Sequence, residues 1–150
     1  MIGVLLRKTR AGIDVLRATI AVRRARRIVA DTPVGSLVQP DAPSAATETA
    51  TSLAAAERHV AERWGSAVDR ALRWTPGDSA CLVRASALRE LVASRGLPRA
   101  TVRIGVRRQG DGLEAHAWVE QDGVPIAEPV ILRGAFASLD GVTLRDPGRQ

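Results

Sequence analysis

The sequence predicts an α+β fold: N-terminal helices packed on a small antiparallel sheet, with a cysteine at a helix N-terminus. Three observations predict it. Up to about residue 96 the apolar side chains recur at helical spacing, and from Thr101 they alternate between glycine-bearing turns. A chain of 150 residues is one domain's length, enough to bury a core. With 45% hydrophobic residues, 3% aromatic and no tyrosine, that core has to be built from Ala, Val, Leu and Ile.

Residues 1–30 read as a basic N-terminal helical arm. Ile13, Leu16, Ile20 and Ile28 recur at near-helical spacing and form a modest apolar stripe that docks the arm on the domain, with arginines filling the other faces. The arm holds eight basic residues against Asp14 alone. It therefore carries +7 of the chain's net +6, leaving −1 for residues 31–150. Basicity confined to an arm argues against a nucleic-acid-binding domain, and the shortage of aromatics removes the stacking platforms such domains use. The apolar run Val4-Leu5-Leu6 stops at Arg7, and no segment approaches the roughly 18 apolar residues of a membrane span, so a cytoplasmic protein is expected.

Residues 31–46, with Pro33, Gly35, Pro40 and Pro43, read as a linker, and 47–150 as the domain proper. A helix is predicted from Thr47, a candidate N-cap, to Trp74, with Leu53, Val60, Trp64, Val68 and Ala71 on one face. Trp64 and Trp74 read as core anchors, His59 as a surface histidine, and Gly65 as a place where the helix bends or splits. Thr75-Pro76-Gly77 breaks it, and Asp78 or Ser79 caps a second helix that ends at Arg95-Gly96 before Pro98. Strands follow over Thr101–Arg107, Glu114–Glu120 and Val124 to about Glu128. Pro125 marks the third as an edge strand. Ile131–Leu139 reads as covering structure and the last residues as frayed.

The single cysteine excludes an internal disulfide framework, and with no second thiol a cysteine-based metal site is not expected; neither a cofactor nor a metal is. Its position is what matters. Cys81 falls in the first turn of the second predicted helix, where unpaired backbone N–H groups and the helix dipole favour a thiolate. A thiol nucleophile also needs a base and a group to orient that base. His116 is the one histidine on a strand, and Asp111, Glu114, Glu120, Asp122 and Glu128 are the acids near it in the sequence. A three-residue loop, Gln121-Asp122-Gly123, would set His116 directly opposite Glu128, Trp118 opposite Ile126 and Glu120 opposite Val124. A two-residue loop would turn Glu128 to the other face. The three-residue loop is the expectation. The Cys81 backbone N–H is one candidate oxyanion donor, and a second is not identifiable from sequence.

Cysteine on a helix N-terminus, then histidine and carboxylate on successive strands, is the order of the transglutaminase-like, papain-related core. The segments Cys81-Leu82-Val83-Arg84-Ala85-Ser86-Ala87-Leu88, Gly105-Val106-Arg107 and Ala115-His116-Ala117-Trp118-Val119-Glu120, with Gly96 and Asp122-Gly123, resemble the lasso-peptide leader peptidases. The resemblance runs from about Ala46 to Glu128. It implies Cys81 as nucleophile, His116 as general base and then acid, and Glu128 as orienting carboxylate, where the family often has aspartate. It also implies a precursor peptide as substrate, a separate PqqD-like leader-recognition protein as partner, and the macrolactam cyclase as a further partner. Two other functions remain open at this point. One is acyl transfer to an amine from the same thioester, and the other is a non-catalytic scaffold whose basic arm binds an acidic partner.

Overall fold

A computed structural model describes residues 2–31, 53–75, 80–128 and 135–138. The expected linker after Asp31 and the candidate caps Thr47, Asp78 and Ser79 lie outside the described residues. Helix α1 spans Ile2–Asp31, α2 Ala55–Arg73 and α3 Ala80–Ala93. Strands β1 (Ala100–Gln109), β2 (Gly112–Gln121), β3 (Val124–Ile126) and β4 (Ala137–Ser138) form one antiparallel sheet in the order β3-β2-β1-β4.

The three helices share one core. Ala18, Ala21, Val22 and Ala25 of α1 meet Ala61, Trp64, Ala67, Val68 and Ala71 of α2 and Leu82, Val83, Leu88 and Val92 of α3. The small side chains on α1 let it lie close to its neighbours, since helix spacing is set by the residues at the contact. Burying a side chain such as Leu88 contributes about 1.5–3 kcal/mol. The expected docking stripe is on the wrong face of α1: Ile13, Ile20 and Ile28 are exposed, as is Leu16 at 62%. Alanines carry no weight in a search for large apolar residues, yet here they are the packed face. Asp14, between Ile13 and Leu16, turns inward instead and takes two hydrogen bonds from Arg63 of α2, at 2.8 and 2.9 Å.

Trp64 is buried as expected, but Trp74 is 82% exposed, because α2 has ended at Arg73 and Trp74 is already in the turn. The helix begins at Ala55, where Glu57 accepts a hydrogen bond from the Ala54 N–H at 2.9 Å. It runs unbroken through Gly65. That glycine is there for close approach: a Cβ would sit 2.5 Å from the Cβ of Ala127. Gly96, at φ 118°, ends the turn after α3, with the Leu97 N–H bonded to the Val92 carbonyl at 3.1 Å.

In the sheet, Ala117 and Val119 of β2 face the helices with Val102 and Ile104 of β1, while His116, Trp118 and Glu120 face the other way. Pro125 lies on an edge strand, as its missing N–H requires. The expected register between β2 and β3 is off by one. Val119 pairs with Ile126 and Gln121 with Val124 around a two-residue turn, in which Asp122 (φ 53°) and Gly123 (φ 77°) both adopt the left-handed backbone of a type I′ hairpin. Within the covering segment, Ala137 and Ser138 pair with Val106 and Gly105 as β4.

Candidate active site

Cys81 is the second residue of α3, half-buried, with its side chain against the edge of the core. Its backbone N–H belongs to the first turn of α3, where the helix dipole favours an anion. Among the described residues no hydrogen bond to its sulfur is formed, with His116 or any other group.

His116 and Glu128 do meet. Nε2 of the ring stands 3.3 Å from Oε2 of the carboxylate, where an imidazole N–H donates to it. With the hairpin register as found, regular pairing would have turned Glu128 away. The contact is made because β3 stops at Ile126 and Ala127 adopts φ 52°, a left-handed conformation uncommon outside glycine. That residue redirects the chain out of the β3 line and brings Glu128 to the ring, and the Ala127 methyl is received at Gly65 of α2. Strain of this kind persists where surrounding contacts over-determine it.

Those contacts come from Arg84, one turn along α3 from Cys81. Its Nη1 donates to Glu128 Oε1 at 2.5 Å, its Nη2 to the Ala127 carbonyl at 2.7 Å and its Nε to Asp69 of α2 at 2.7 Å. Burial works to lower the Arg84 pKa, but the bonds to Asp69 and Glu128 outweigh it and the guanidinium is held charged. The two oxygens of Glu128 are thus divided, one to arginine and one to histidine, and the side chain is only 5% exposed.

The ring of His116 is walled by aromatics. Trp118 stacks beside it at 6.2 Å and 15°, and Phe136, just before β4, lies 5.2 Å away. Trp118 extends across β1 over Gly105, where a Cβ would come within 2.7 Å of the indole. The Arg107 guanidinium lies over the Phe136 ring, 4.7 Å from its centroid. With Nε2 engaged by Glu128, Nδ1 is the nitrogen left to receive a proton from a thiol.

Residues 15–140 match the family model of the transglutaminase-like superfamily, a span that contains Cys81, His116 and Glu128. The chain belongs to the transglutaminase-like superfamily. Neither a curated protein nor a solved structure matches it significantly. The superfamily includes cysteine-dependent enzymes, and the α+β fold, with helices on a small antiparallel sheet, agrees with that membership. The matched span begins inside α1, in keeping with the part that helix plays in the core.

Within this transglutaminase-like domain three of the four other acids near His116 in the sequence are paired with arginines. Glu114 pairs with Arg107 at 2.6 Å, Glu120 with Arg103 at 3.1 Å and with the Trp118 indole N–H at 2.8 Å, and Asp122 with Arg99 at 2.5 Å, while Asp111 is exposed in its turn. His59 is exposed on a groove of about 450 Å3 between α1 and α2, lined also by Arg10, Asp14 and Arg70, and so not at Cys81. No group of three or more metal-binding side chains occurs among the described residues, and no helix there is long and apolar enough to cross a membrane. Sequence reasoning missed Arg84, Asp69, Phe136 and the role of Gly65. Only Arg84 left a signal, an arginine one turn after the cysteine and one turn before the buried Leu88.

Proposed function

We propose that the protein is a cysteine peptidase that removes the leader from a ribosomally made lasso-peptide precursor. The observation that carries this reading is the His116–Glu128 contact, which engages one ring nitrogen with a buried carboxylate and leaves the other for a thiol, in a superfamily with cysteine-dependent members. The resemblance of the Cys81 and His116 segments to leader peptidases supplies the substrate class.

In this mechanism His116 takes the Cys81 proton at Nδ1 as the sulfur attacks the last leader carbonyl. The negative charge on the carbonyl oxygen is met by the Cys81 backbone N–H. Collapse of the tetrahedral intermediate breaks the peptide C–N bond, and the imidazolium gives its proton to the departing amine, the new amino terminus of the core. A leader thioester remains on Cys81. Water, deprotonated by His116, attacks it, and the leader leaves as a carboxylic acid while the thiol is restored. Glu128 holds the ring and stabilises the imidazolium at each stage. A separate PqqD-like protein delivers the precursor, a cyclase takes the freed core, and the reaction takes place in the cytoplasm.

Purified protein, precursor and recognition partner, followed by mass spectrometry, test the proposal. Wild-type protein is expected to release a leader with a free carboxylate and Cys81→Ala to release none. Undiminished cleavage by Cys81→Ala contradicts the proposal, and a leader joined to an amine would assign acyl transfer instead.

A further inference from the structure

Glu128 lies beyond the last residue of β3, so no strand pairing fixes its backbone. A glutamate side chain with three torsions needs something else to hold it still. Among the described residues three features meet that need. The Ala127 methyl packs at Gly65, the Ala127 carbonyl accepts from Arg84 Nη2, and the Glu128 carboxylate accepts from Arg84 Nη1. Arg84 is itself held from the opposite side by Asp69 and is 18% exposed. Because Cys81 and Arg84 are three residues apart on α3, they project from the same side of one helix.

We propose that Arg84 is a positioning residue for the peptidase site: by gripping Ala127 and Glu128 together it sets the His116 ring from the helix that carries Cys81. Nucleophile and orienting carboxylate then share a single rigid reference. The bonds Arg84 makes are to Asp69, Glu128 and the Ala127 carbonyl, and its effect on turnover passes through Glu128. The planar fork matters more than the charge, since only a guanidinium reaches the Asp69 carboxylate, the Glu128 carboxylate and a backbone carbonyl at once. This inference rests on the peptidase reading, and Asp69 completes it as the residue that fixes the fork.

The test is a set of variants, Arg84→Met, Arg84→Lys, Glu128→Gln and Arg84→Met/Glu128→Gln, assayed as full-length protein with precursor and partner beside Cys81→Ala. In Arg84→Met, kcat is expected to fall roughly 10- to 100-fold with KM changed less than about twofold, the signature of a misplaced catalytic group. Arg84→Lys is expected to recover thermal stability but not kcat. The double variant is expected to be no slower than Glu128→Gln alone, because residues acting as a unit are not additive. Iodoacetamide alkylation of Cys81, which needs no precursor, is expected to slow in Arg84→Met as much as in His116→Asn. Should Arg84→Met fail to fold, Asp69→Asn is expected to give a smaller loss of the same kind, in kcat and not in KM. Full kcat in Arg84→Lys, or losses that multiply in the double variant, would overturn the proposal. Wild-type cleavage unaffected by Cys81→Ala would instead overturn the peptidase reading, a result that the alkylation rates keep distinct from failure at Arg84.

Discussion

Two of this molecule's arginine–carboxylate pairs tie separate elements together and differ in what the carboxylate does with its other side. Arg63 grips Asp14 through two hydrogen bonds, tying α1 to α2; Arg84 grips Glu128, tying α3 to the segment after β3. In the first clamp the acid is buried and the arginine 44% exposed, resting against Trp64. In the second the carboxylate is 5% exposed and the arginine 18%, the arginine has a second acid and a backbone carbonyl, and the carboxylate's remaining oxygen meets His116. The same chemistry joins helices in one place and orders an imidazole in the other. Whether such a pair is scaffold or machinery depends on the third group.

The sharpest way to break the comparison is at Gly65, which seats the Ala127–Glu128 segment. Gly65→Ala puts a methyl 2.5 Å from the Ala127 Cβ. It is expected to cost about 1–3 kcal/mol of stability, in the range of over-packed cores, and to lower kcat as strongly as Arg84→Met. Chemical denaturation and the cleavage assay measure the two effects, and normal turnover in the Gly65→Ala variant would detach the site from α2.

Arg63→Met should have the smaller and purely structural effect, about 1 kcal/mol because the arginine is so exposed, with kcat unchanged. Its pH dependence is the finer test. The hydrogen bond from Arg63 holds the Asp14 pKa below its ordinary value of 3.8, against burial, which raises it. A folded-state pKa below the unfolded one means stability that is fully present above the unfolded value and is lost as pH falls through the folded one. Melting temperatures taken downward from about pH 5 should therefore drop less steeply in Arg63→Met than in wild type. An identical slope would remove this clamp from the acid sensitivity of the fold.

The parts of the site legible in the sequence were those set by local signals. A turn, then a helical stripe, placed Cys81 in the first turn of a helix, and alternation placed His116 on a strand and Pro125 on an edge. Glu128 meets His116 as expected but by another route, since the three-residue loop is absent and Ala127 makes the correction. A left-handed alanine has no sequence mark, because it is imposed by the packing at Gly65 and Arg84. The α1 stripe failed for a related reason: large aliphatics at helical spacing drew attention from alanines on the adjacent face, and tertiary packing chose the alanines. Phe136 and Arg84 come from segments well apart in the chain, and periodicity within one element says nothing about such meetings.

The proposed chemistry requires the Cys81 sulfur and the His116 imidazole to work face to face. The most direct measurement is treatment of the native protein with 1,3-dibromoacetone, whose two electrophilic carbons alkylate a thiolate and then an adjacent ring nitrogen, followed by peptide mass mapping. A bridge between the Cys81 and His116 peptides is predicted in wild type and in Arg63→Met, and none in Cys81→Ala. Cys81 alkylated at one end only, with His116 unmodified, would contradict it.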